Sequence, residues 1–325
     1  MESYRLKDDA SEQPRRLLLP LSSGISSVVL LQILDRQLLR QSSKRGRPSY
    51  ELHILTVELP SQHFDGSVAT TFHLLEQKYS SHSFSLVPLC EVFNLDNSLL
   101  GDFSDLGALE GETPQTSLAS LFSCIKTASA RADLLQILLT RLIVTFAKLN
   151  ACDAILWGHS NSRLAAKALS GVAKGRGGFL PFDIADGPSP WEVTFYYPLR
   201  DLFKSELSAY ANALPDDFSK LVTQDSAPAP TSLRATSIDD LLSDYIYSQG
   251  EKYPSIIANV VRTAGKLQTP PIPPKQAASC SICTMPRSEA MTTQANDAPN
   301  TDATNIKICY ACQCLKLETR SRGDT

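Results

Sequence analysis

Four cysteines near the end of the chain form the pattern with the clearest chemical meaning. Cys280 and Cys283 make one Cys-x-x-Cys pair, Cys309 and Cys312 make a second, and 25 residues separate the two pairs. Each pair presents two thiolates from one tight turn, and two such turns form the tetrahedral four-cysteine site typical of structural zinc. The interval slightly exceeds that of the commonest zinc ribbons, but a polar insert adds length at little entropic cost. We therefore predict a zinc site at these four cysteines.

The other cysteines leave alternatives to this zinc site open. Cys314 is a spare thiol that can replace Cys312 or act separately, and redox chemistry, unliganded thiols or a sulfur-carrying persulfide are the competing interpretations of the tail. Cys90, Cys124 and Cys152 stand in apolar surroundings and are expected to be packing residues. The polar start of the chain predicts neither a secretory signal nor a transit peptide, which disfavours a disulfide framework.

A serine-rich segment, LPLSSGISS at residues 19–27, is the second candidate site. It lies between a predicted strand and a predicted helix, where backbone N–H groups and a helix N-terminus can hold an anion. The segment matches neither the Walker pattern nor the dinucleotide pattern, so a turn that merely caps the helix is the alternative. Its candidate anion-binding residues are Ser22, Ser23, Gly24, Ser26 and Ser27.

Basic residues are concentrated after the fourth predicted strand. Between residues 154 and 182 the chain has no acidic residue. The basic residues of this stretch are Arg163, Lys167, Lys174 and Arg176. They are candidates for salt-sensitive contacts with nucleic-acid phosphates, with a solvated helix face and loop as the alternative for each. The whole chain has a formal net charge of −3, which argues against a dedicated nucleic-acid binder.

These segments are positioned by alternating strands and helices. Strands are predicted at 15–21, 51–57, 83–89, 154–157 and 193–198, and helices at 26–39, 68–79, 116–149, 162–173 and 204–213. The alternation indicates an α/β fold with a Rossmann-like parallel sheet covered on both faces. Two further helices and a proline-rich linker precede the cysteines. We predict an α/β domain at 1–214, a helical extension and linker at 215–269, and a zinc-ribbon-like cysteine module at 270–325.

The composition excludes several classes of protein. The 325 residues are 42% hydrophobic and 20% charged, which excludes a fully disordered or fibrous chain. No apolar run approaches the roughly 18 residues that a membrane helix needs. We expect a cytoplasmic protein without a membrane partner.

Several motifs, in order, resemble those of a known family. The serine-rich segment resembles the S-G-G-x-D-S pyrophosphate loop (PP-loop) of N-type ATP pyrophosphatases, with Ser22, Gly24 and Ser27 at matching positions. WGHSNSR resembles the G-H-N-x-D-D motif of their tRNA-thiolating members through Gly158 and His159. With YYPLRDLFKSELSAY and the paired Cys-x-x-Cys motifs, the chain is similar to the cytoplasmic tRNA 2-thiolation protein 2 family from about residue 4 to residue 315.

The resemblance breaks down where acidic residues would stand. Ser23 replaces a glycine, Ser26 replaces an aspartate, and Ser162 and Arg163 stand in place of two acids. Without these carboxylates the site lacks the usual oxygen ligands for the Mg²⁺ that neutralises ATP phosphates. The resemblance therefore implies a degenerate nucleotide site that includes Gly158 and His159, with no catalytic residue, and argues against ATP–Mg²⁺ as a cofactor. His159 either contacts a nucleotide, transfers a proton or orients its loop.

The family also implies partners. Its members act with a catalytic paralogue, as a heterodimer, to replace the 2-oxygen of the wobble uridine (position 34) of cytoplasmic tRNAs by sulfur. ATP activates that oxygen as an adenylate, and the thiocarboxylate of a ubiquitin-related modifier supplies the sulfur. The resemblance implies a non-catalytic subunit that binds the paralogue and tRNA. Two alternatives are an ATP-dependent tRNA sulfurtransferase active in its own right and a zinc-ribbon scaffold unrelated to tRNA.

Overall fold

The computed structural model confirms the predicted α/β class and describes residues 14–46, 48–59, 67–96, 99, 113–223, 236–267, 279–286 and 308–319. Its strands are β1 (Arg15–Pro20), β2 (Tyr50–Glu58), β3 (Ser83–Pro88), β4 (Ala154–Leu156), β5 (Gly187–Pro188) and β6 (Thr194–Tyr196). They form one sheet in the order β3-β2-β1-β4-β6-β5. All neighbouring pairs are parallel except β5 and β6, which pair antiparallel at the edge.

The predicted helices are present close to their expected positions. They are α1 (Ile25–Arg45), α2 (Ser67–Lys78), α3 (Val92–Leu95), α4 (Pro114–Ser123), α5 (Ala128–Leu149), α6 (Asn161–Ala173), α7 (Leu180–Ile184), α8 (Lys204–Asn212), α9 (Ile238–Lys252), α10 (Pro254–Ala264) and α11 (Tyr310–Leu317). Helices α3, α7 and α11 were not predicted. The helical region at 116–149, in which a break near Ala128 is predicted, is two helices, α4 and α5, and α5 begins at Ala128. The predicted end of α1 at residue 39 was wrong, because the helix continues until Gly46 takes a left-handed conformation, with φ of 72°, and its N–H bonds to Ser42 O.

The sheet order creates a crevice between β1 and β4. From β1 the chain proceeds to β2 and β3 on one side, whereas β4 leads to β6 on the other. The loops after β1 and β4 therefore diverge at the carboxyl edge of the sheet, which is where open α/β sheets bind ligands. Both candidate motifs, the serine-rich loop and WGHSNSR, leave the sheet at this point.

Alternating side chains of β1 divide the core between the two faces of the sheet. Leu17 and Leu19 join a cluster with α1, whereas Leu18 joins the larger cluster that α5 and α6 cover. The larger cluster also contains Ile246 of α9 and Val261 of α10, and the four cysteines of the tail. Apolar packing thus runs through all three predicted parts, whose boundaries as domains stay a prediction. Among the described helices, none is both long and apolar enough to cross a membrane.

Candidate functional sites: a serine-lined cleft and a cysteine cluster

A cleft of about 590 Å³ opens at the carboxyl edge of the sheet, between the loops after β1 and β4. The structure brings all the predicted nucleotide-site residues together along its wall: Ser22, Ser23, Gly24, Ser26, Ser27, Gly158 and His159. Apolar side chains, among them Val57 and Ile143, form another part of the wall. The cleft therefore combines a polar loop with an apolar surface, and its binding of a nucleotide stays a prediction.

The serine-rich loop is held by its own backbone rather than by helix capping. Gly24 is the N-cap of α1, and no side chain caps this helix, so the interpretation of the serines as a helix cap does not hold. The Ser27 hydroxyl donates to Gly24 O at 2.9 Å and lies 3.4 Å from the Ser22 hydroxyl. Ser23 adopts a φ of 56°, a left-handed conformation that a glycine takes at lower cost.

The loops after β1 and β4 touch through Gly158. A β-carbon at Gly158 would lie 3.0 Å from Ser27 Cα, closer than normal van der Waals contact allows. The second loop then enters α6 with Ser160 as the N-cap, whose hydroxyl accepts from the Arg163 N–H at 3.4 Å. Glycine at position 158 therefore lets the two halves of the cleft approach each other.

His159 is partly buried between two aromatic rings. Its ring lies edge-on to Trp157 at 5.6 Å and to Tyr197 at 6.0 Å between centroids. Burial, assisted by the positive charges of Lys167 and Arg163, lowers the pKa of His159 well below its usual value. The imidazole is therefore neutral at neutral pH, and its Nδ1 has no hydrogen-bond partner within the described part of the chain.

The positions that would carry acids have other roles in this chain. Ser162 is buried and accepts a hydrogen bond from the backbone N–H of Lys204 at 3.5 Å. Arg163 is exposed at the rim of the cleft. Among the described residues that line the cleft there is no aspartate or glutamate. The cleft thus offers hydroxyl and cationic groups to a ligand, but its described wall offers no carboxylate to a metal ion.

Polar atoms without hydrogen-bond partners are concentrated at this cleft. In the described residues, five of them belong to side chains of its wall: Ser23 Oγ, Thr56 Oγ1, Trp157 Nε1, His159 Nδ1 and Thr223 Oγ1. Buried polar groups in native proteins are nearly always paired, since leaving one unpaired costs about 1–3 kcal/mol. The described wall of the cleft therefore holds several buried polar atoms whose partners are not among the described residues.

Sequence analysis missed part of the cleft wall, including Thr56, Lys204 and Thr223. Thr56 lies in β2, next to β1, so its sheet position was a usable signal. Thr223 donates its N–H to Ser23 O at 2.9 Å, and Lys204 lies with its Nζ 4.8 Å from the centroid of the Tyr247 ring. Both come from segments distant in sequence, and nothing in their local pattern indicates a place in the cleft.

The structure gives three of the four basic candidates carboxylate partners. Lys167 pairs with Asp183 at 3.3 Å. Lys174 pairs with Asp239 at 2.8 Å and with Asp133 at 3.3 Å. The fourth candidate, Arg163, is the one exposed at the cleft. A role in tRNA binding stays a prediction for all four.

Arg176, the third paired candidate, is directed into the protein. Its Nε donates to Asp133 Oδ1 at 2.9 Å, and its Nη2 lies 3.7 Å from Cys312 Sγ. Burial by itself would lower the pKa of Arg176, but the hydrogen bonds and charge of Asp133 outweigh it and raise the pKa. The guanidinium is therefore charged and sits between a carboxylate and a cysteine sulfur.

The four predicted ligand cysteines form a buried cluster. The sulfur atoms of Cys280, Cys283, Cys309 and Cys312 all lie within 4.8 Å of one another, and Cys283 Sγ lies 3.7 Å from Cys309 Sγ. Four sulfurs at about 2.3 Å from one zinc ion define a tetrahedron with edges of about 3.8 Å. The spacing therefore fits one tetrahedral ion, whereas a four-iron cluster needs room for its irons and sulfides between the sulfurs.

Two turns bring the thiols together. In the first, the Thr284 N–H donates to Cys280 O at 2.8 Å, with Thr284 at a φ of 57°. In the second, Cys309 directly precedes α11, and its N–H donates to Cys280 Sγ at 3.3 Å. Hydrogen bonds from the neighbouring thiols lower the pKa of Cys280, and the same contacts raise the pKa of Cys312. The thiols therefore titrate as a coupled group, and binding a metal as thiolates requires the cluster to release its protons.

The remaining cysteines lie outside this cluster. Cys90 and Cys152 are buried, as predicted, and burial raises the pKa of Cys152 to about 11. Cys124 is half-buried and packs against the larger core cluster. Cys314, the spare thiol, is also half-buried and is not one of the four clustered ligands.

Comparison with solved structures defines the class of fold. The chain is similar to the structure described as "U34-tRNA thiolase NcsA from Methanococcus maripaludis with its [4Fe-4S] cluster", with a TM-score of 0.54. The match covers 88% of this chain and 82% of that chain at 14% sequence identity. This likeness agrees with the predicted Rossmann-like fold of the PP-loop kind.

Comparison of sequences identifies the family. The family model "Cytoplasmic tRNA 2-thiolation protein 2" matches residues 237–307. A protein of that name from Coccidioides immitis is 40% identical over 99% of this chain and 89% of its own length. The one from Ajellomyces capsulatus is 44% identical over 88% of this chain and 80% of its own length. The chain belongs to the cytoplasmic tRNA 2-thiolation protein 2 family.

Proposed function

We propose that this chain is the non-catalytic subunit of a complex that 2-thiolates the wobble uridine of cytoplasmic tRNAs. Membership of the family supports the reaction and the cytoplasmic location. The observation that carries the non-catalytic role is the cleft, which keeps both loops but has no carboxylate among its described lining residues. A subunit of this kind binds tRNA and leaves the activation of uridine to a partner.

The chemistry of activation explains why carboxylates matter. Adenylation of the uridine oxygen brings several phosphate charges to the reaction, and Mg²⁺ held by acidic ligands ordinarily neutralises them. Here Ser26 and Ser162 stand where such ligands are expected. The Ser162 hydroxyl already accepts a hydrogen bond from the Lys204 backbone N–H. We assign adenylation to a catalytic paralogue and the sulfur to a thiocarboxylated ubiquitin-related modifier.

The cleft nevertheless has the composition of an RNA-binding surface. Arg163 is exposed at its rim, and its described wall carries the five polar atoms without partners. A tRNA phosphate at the rim can accept hydrogen bonds from the exposed Arg163 guanidinium. Because Lys167, Lys174 and Arg176 already pair with carboxylates, we expect Arg163 to make the strongest phosphate contact of the four.

Zinc is the metal we propose for the cysteine cluster. Four buried thiols with near-tetrahedral spacing form a closed site, and a closed four-cysteine site without an open position is structural rather than catalytic. The ion would hold the tail against the α/β domain and supply no chemistry to the thiolation reaction.

Reconstitution with purified components tests the non-catalytic role. The chain alone, the paralogue alone and both together are incubated with tRNA, ATP, Mg²⁺ and the thiocarboxylated modifier, and AMP and 2-thiouridine are measured. We expect thiolation only when both subunits are present. Robust turnover by this chain alone, abolished by Ser22→Ala with Gly24→Ala, would show instead that it is an enzyme in its own right.

Two further measurements separate the alternatives. Calorimetry of ATP binding with and without Mg²⁺ is expected to show no Mg²⁺-dependent binding, and tight Mg²⁺-dependent binding would favour the active enzyme. Deletion of the gene is expected to abolish 2-thiouridine in bulk tRNA. Unchanged 2-thiouridine would favour a scaffold unrelated to tRNA.

The proposed contact of Arg163 has its own test. Arg163→Ala should weaken tRNA binding by the complex and reduce the slope of log affinity against log salt by about one. Arg40→Ala, which removes an exposed arginine of α1 outside the cleft wall, is the matched control and should change neither quantity. Equal effects of the two substitutions would indicate a general charge effect.

A further inference from the structure

Two arginines of the α/β domain reach the two cysteine pairs. Arg141 of α5 donates from Nη1 to the carbonyl oxygens of Ser281 and Ile282, at 2.8 and 2.9 Å. Arg176, just after α6, donates from Nη2 toward Cys312 Sγ at 3.7 Å. The first turn is thus held through its backbone, whereas the second is contacted at a ligand sulfur.

A carboxylate fixes the orientation of each arginine. Arg141 donates from Nε to Asp96 Oδ2 at 2.8 Å. Arg176 forms a two-point contact with Asp133, with Nε 2.9 Å from Oδ1 and Nη2 bonded to Oδ2. Arg141 and Asp133 are only 3% and 6% exposed. Buried ions of this kind persist only where they are paired and well hydrogen-bonded.

The cysteine cluster itself needs compensating charge. Four thiolates around one divalent ion carry a net charge of −2, and this charge lies among apolar residues of the larger core cluster. A guanidinium N–H directed at a ligand sulfur both offsets that charge and fixes the direction of the sulfur. Arg176 is placed to do both, because its two-point contact with Asp133 aligns its remaining N–H groups.

We propose that Arg176, oriented by Asp133, is a positioning residue of the cysteine metal centre: it bonds to Cys312 Sγ and offsets the negative charge of the four thiolates. This role differs from tRNA contact: it rests on the metal proposed above for the cysteine cluster, but not on the proposed part in tRNA thiolation. It also makes the centre part of the α/β domain, because Asp133 belongs to α5 and Arg176 follows α6.

The test measures the affinity and the spectrum of the metal in the full chain. Arg176→Lys keeps the charge but loses the fork geometry, and Asp133→Asn keeps the arginine but loses its carboxylate. Arg16→Lys is the matched control, because Arg16 also pairs with a carboxylate, that of Glu51, and donates to a backbone carbonyl, Asn150 O. Zinc affinity is measured by competition with a chromophoric chelator, and the site is also examined after substitution with Co²⁺.

We expect Arg176→Lys and Asp133→Asn to weaken zinc binding by about 10- to 100-fold, the usual effect of losing a group that supports a metal ligand. The sulfur-to-cobalt charge-transfer band should shift in both variants and stay in place in Arg16→Lys. Arg141→Lys should weaken zinc binding without moving the band, because Arg141 bonds to carbonyl oxygens rather than to a sulfur.

Three outcomes would overturn the proposal. The first is an unchanged affinity and band in Arg176→Lys, and the second is an equal effect in Arg16→Lys. The third is a folded wild-type chain that takes up neither zinc nor cobalt. If Arg176→Lys does not fold, as judged by circular dichroism, Asp133→Asn decides the matter alone, because it leaves Arg176 in place.

Discussion

The cleft and the cysteine cluster both contain buried polar groups, but these groups differ in whether they have hydrogen-bond partners. At the cleft, Ser23 Oγ, Thr56 Oγ1 and other buried polar atoms lack partners among the described residues, and the described wall supplies no carboxylate for a metal. Around the cysteines, each arginine that reaches the cluster has a partner: Arg176 bonds to Asp133 and Arg141 to Asp96. The first region leaves buried polar atoms without described partners, whereas the second pairs each of its arginines with a carboxylate.

One helix connects the two regions. The first turn of α6 borders the cleft, and the loop after its last turn carries Arg176 to Cys312. At about 1.5 Å per residue, its 13 residues span roughly 20 Å. A smaller pocket of about 80 Å³ is lined by both His159 and Cys283. The two regions therefore lie near opposite ends of α6.

The largest effect is expected from removing the metal ligands. Cys280→Ser with Cys309→Ser should abolish binding of about one zinc per chain, because structural zinc contributes on the order of 10 kcal/mol. Elemental analysis measures the loss of zinc, and thermal unfolding measures the loss of stability. Cys314→Ser is the control and should retain the metal. A wild-type chain that is folded and metal-free would contradict this prediction.

A smaller effect is expected where the two loops of the cleft touch. Gly158→Ala places a β-carbon 3.0 Å from Ser27 Cα, so the loops must separate, at a cost of about 1–3 kcal/mol. Urea unfolding measures the change. Gly178→Ala, where an added β-carbon meets nothing within 4 Å, should be nearly neutral. Equal stability of the two variants would mean that the cleft has no fixed shape.

The pH dependence of stability probes the burial of His159. Because burial lowers its pKa below 6.5, the unfolded chain binds more protons than the folded chain in acid. The contribution of His159 to the free energy of unfolding is constant above pH 6.5. As the pH falls below 6.5, this contribution decreases by at most about 1.4 kcal/mol per pH unit. His159→Gln should flatten this slope in urea unfolding between pH 5 and 7.5. His53, whose pKa is lowered by burial and by Arg16, contributes to the slope in the same direction.

An exposed histidine provides the control for this pH experiment. His73→Gln makes the same substitution at a histidine whose side chain is 66% exposed, and its slope is compared with that of His159→Gln. If His159→Gln keeps the wild-type slope, His159 is solvated rather than buried at the cleft.

The smallest effect concerns the strained serine. Ser23→Gly should stabilise the chain by about 1 kcal/mol, because the left-handed φ of 56° costs a serine more than a glycine. Ala151→Gly, at a φ of 50°, is the matched control. A larger gain in stability from Ser23→Gly than from Ala151→Gly would show that the partnerless hydroxyl of Ser23 also destabilises the fold. Destabilisation by Ser23→Gly would mean that this hydroxyl has a partner.

Features governed by short-range patterns were predictable. Apolar runs and helical spacing gave β1 and α6 nearly to the residue, and the serine-rich loop and Gly158 were predicted to lie at strand ends, which the sheet order then brings together. The end of α1 was not predictable, because its apolar pattern stops at Leu39 while helix-compatible polar residues continue to Gly46. The strand β5 was missed because two residues carry no periodicity.

The sequence by itself determined the alternation of strands and helices, the serine-rich loop without acids and the pairing of the cysteines, because each depends on neighbours within a turn or a strand. Only the tertiary structure decided what Arg176 does. Its carboxylate partner, Asp133, lies 43 residues away and its sulfur partner, Cys312, lies 136 residues away. Charge along a sequence indicates what a side chain can bind, but the packing of distant helices decides which partner it meets.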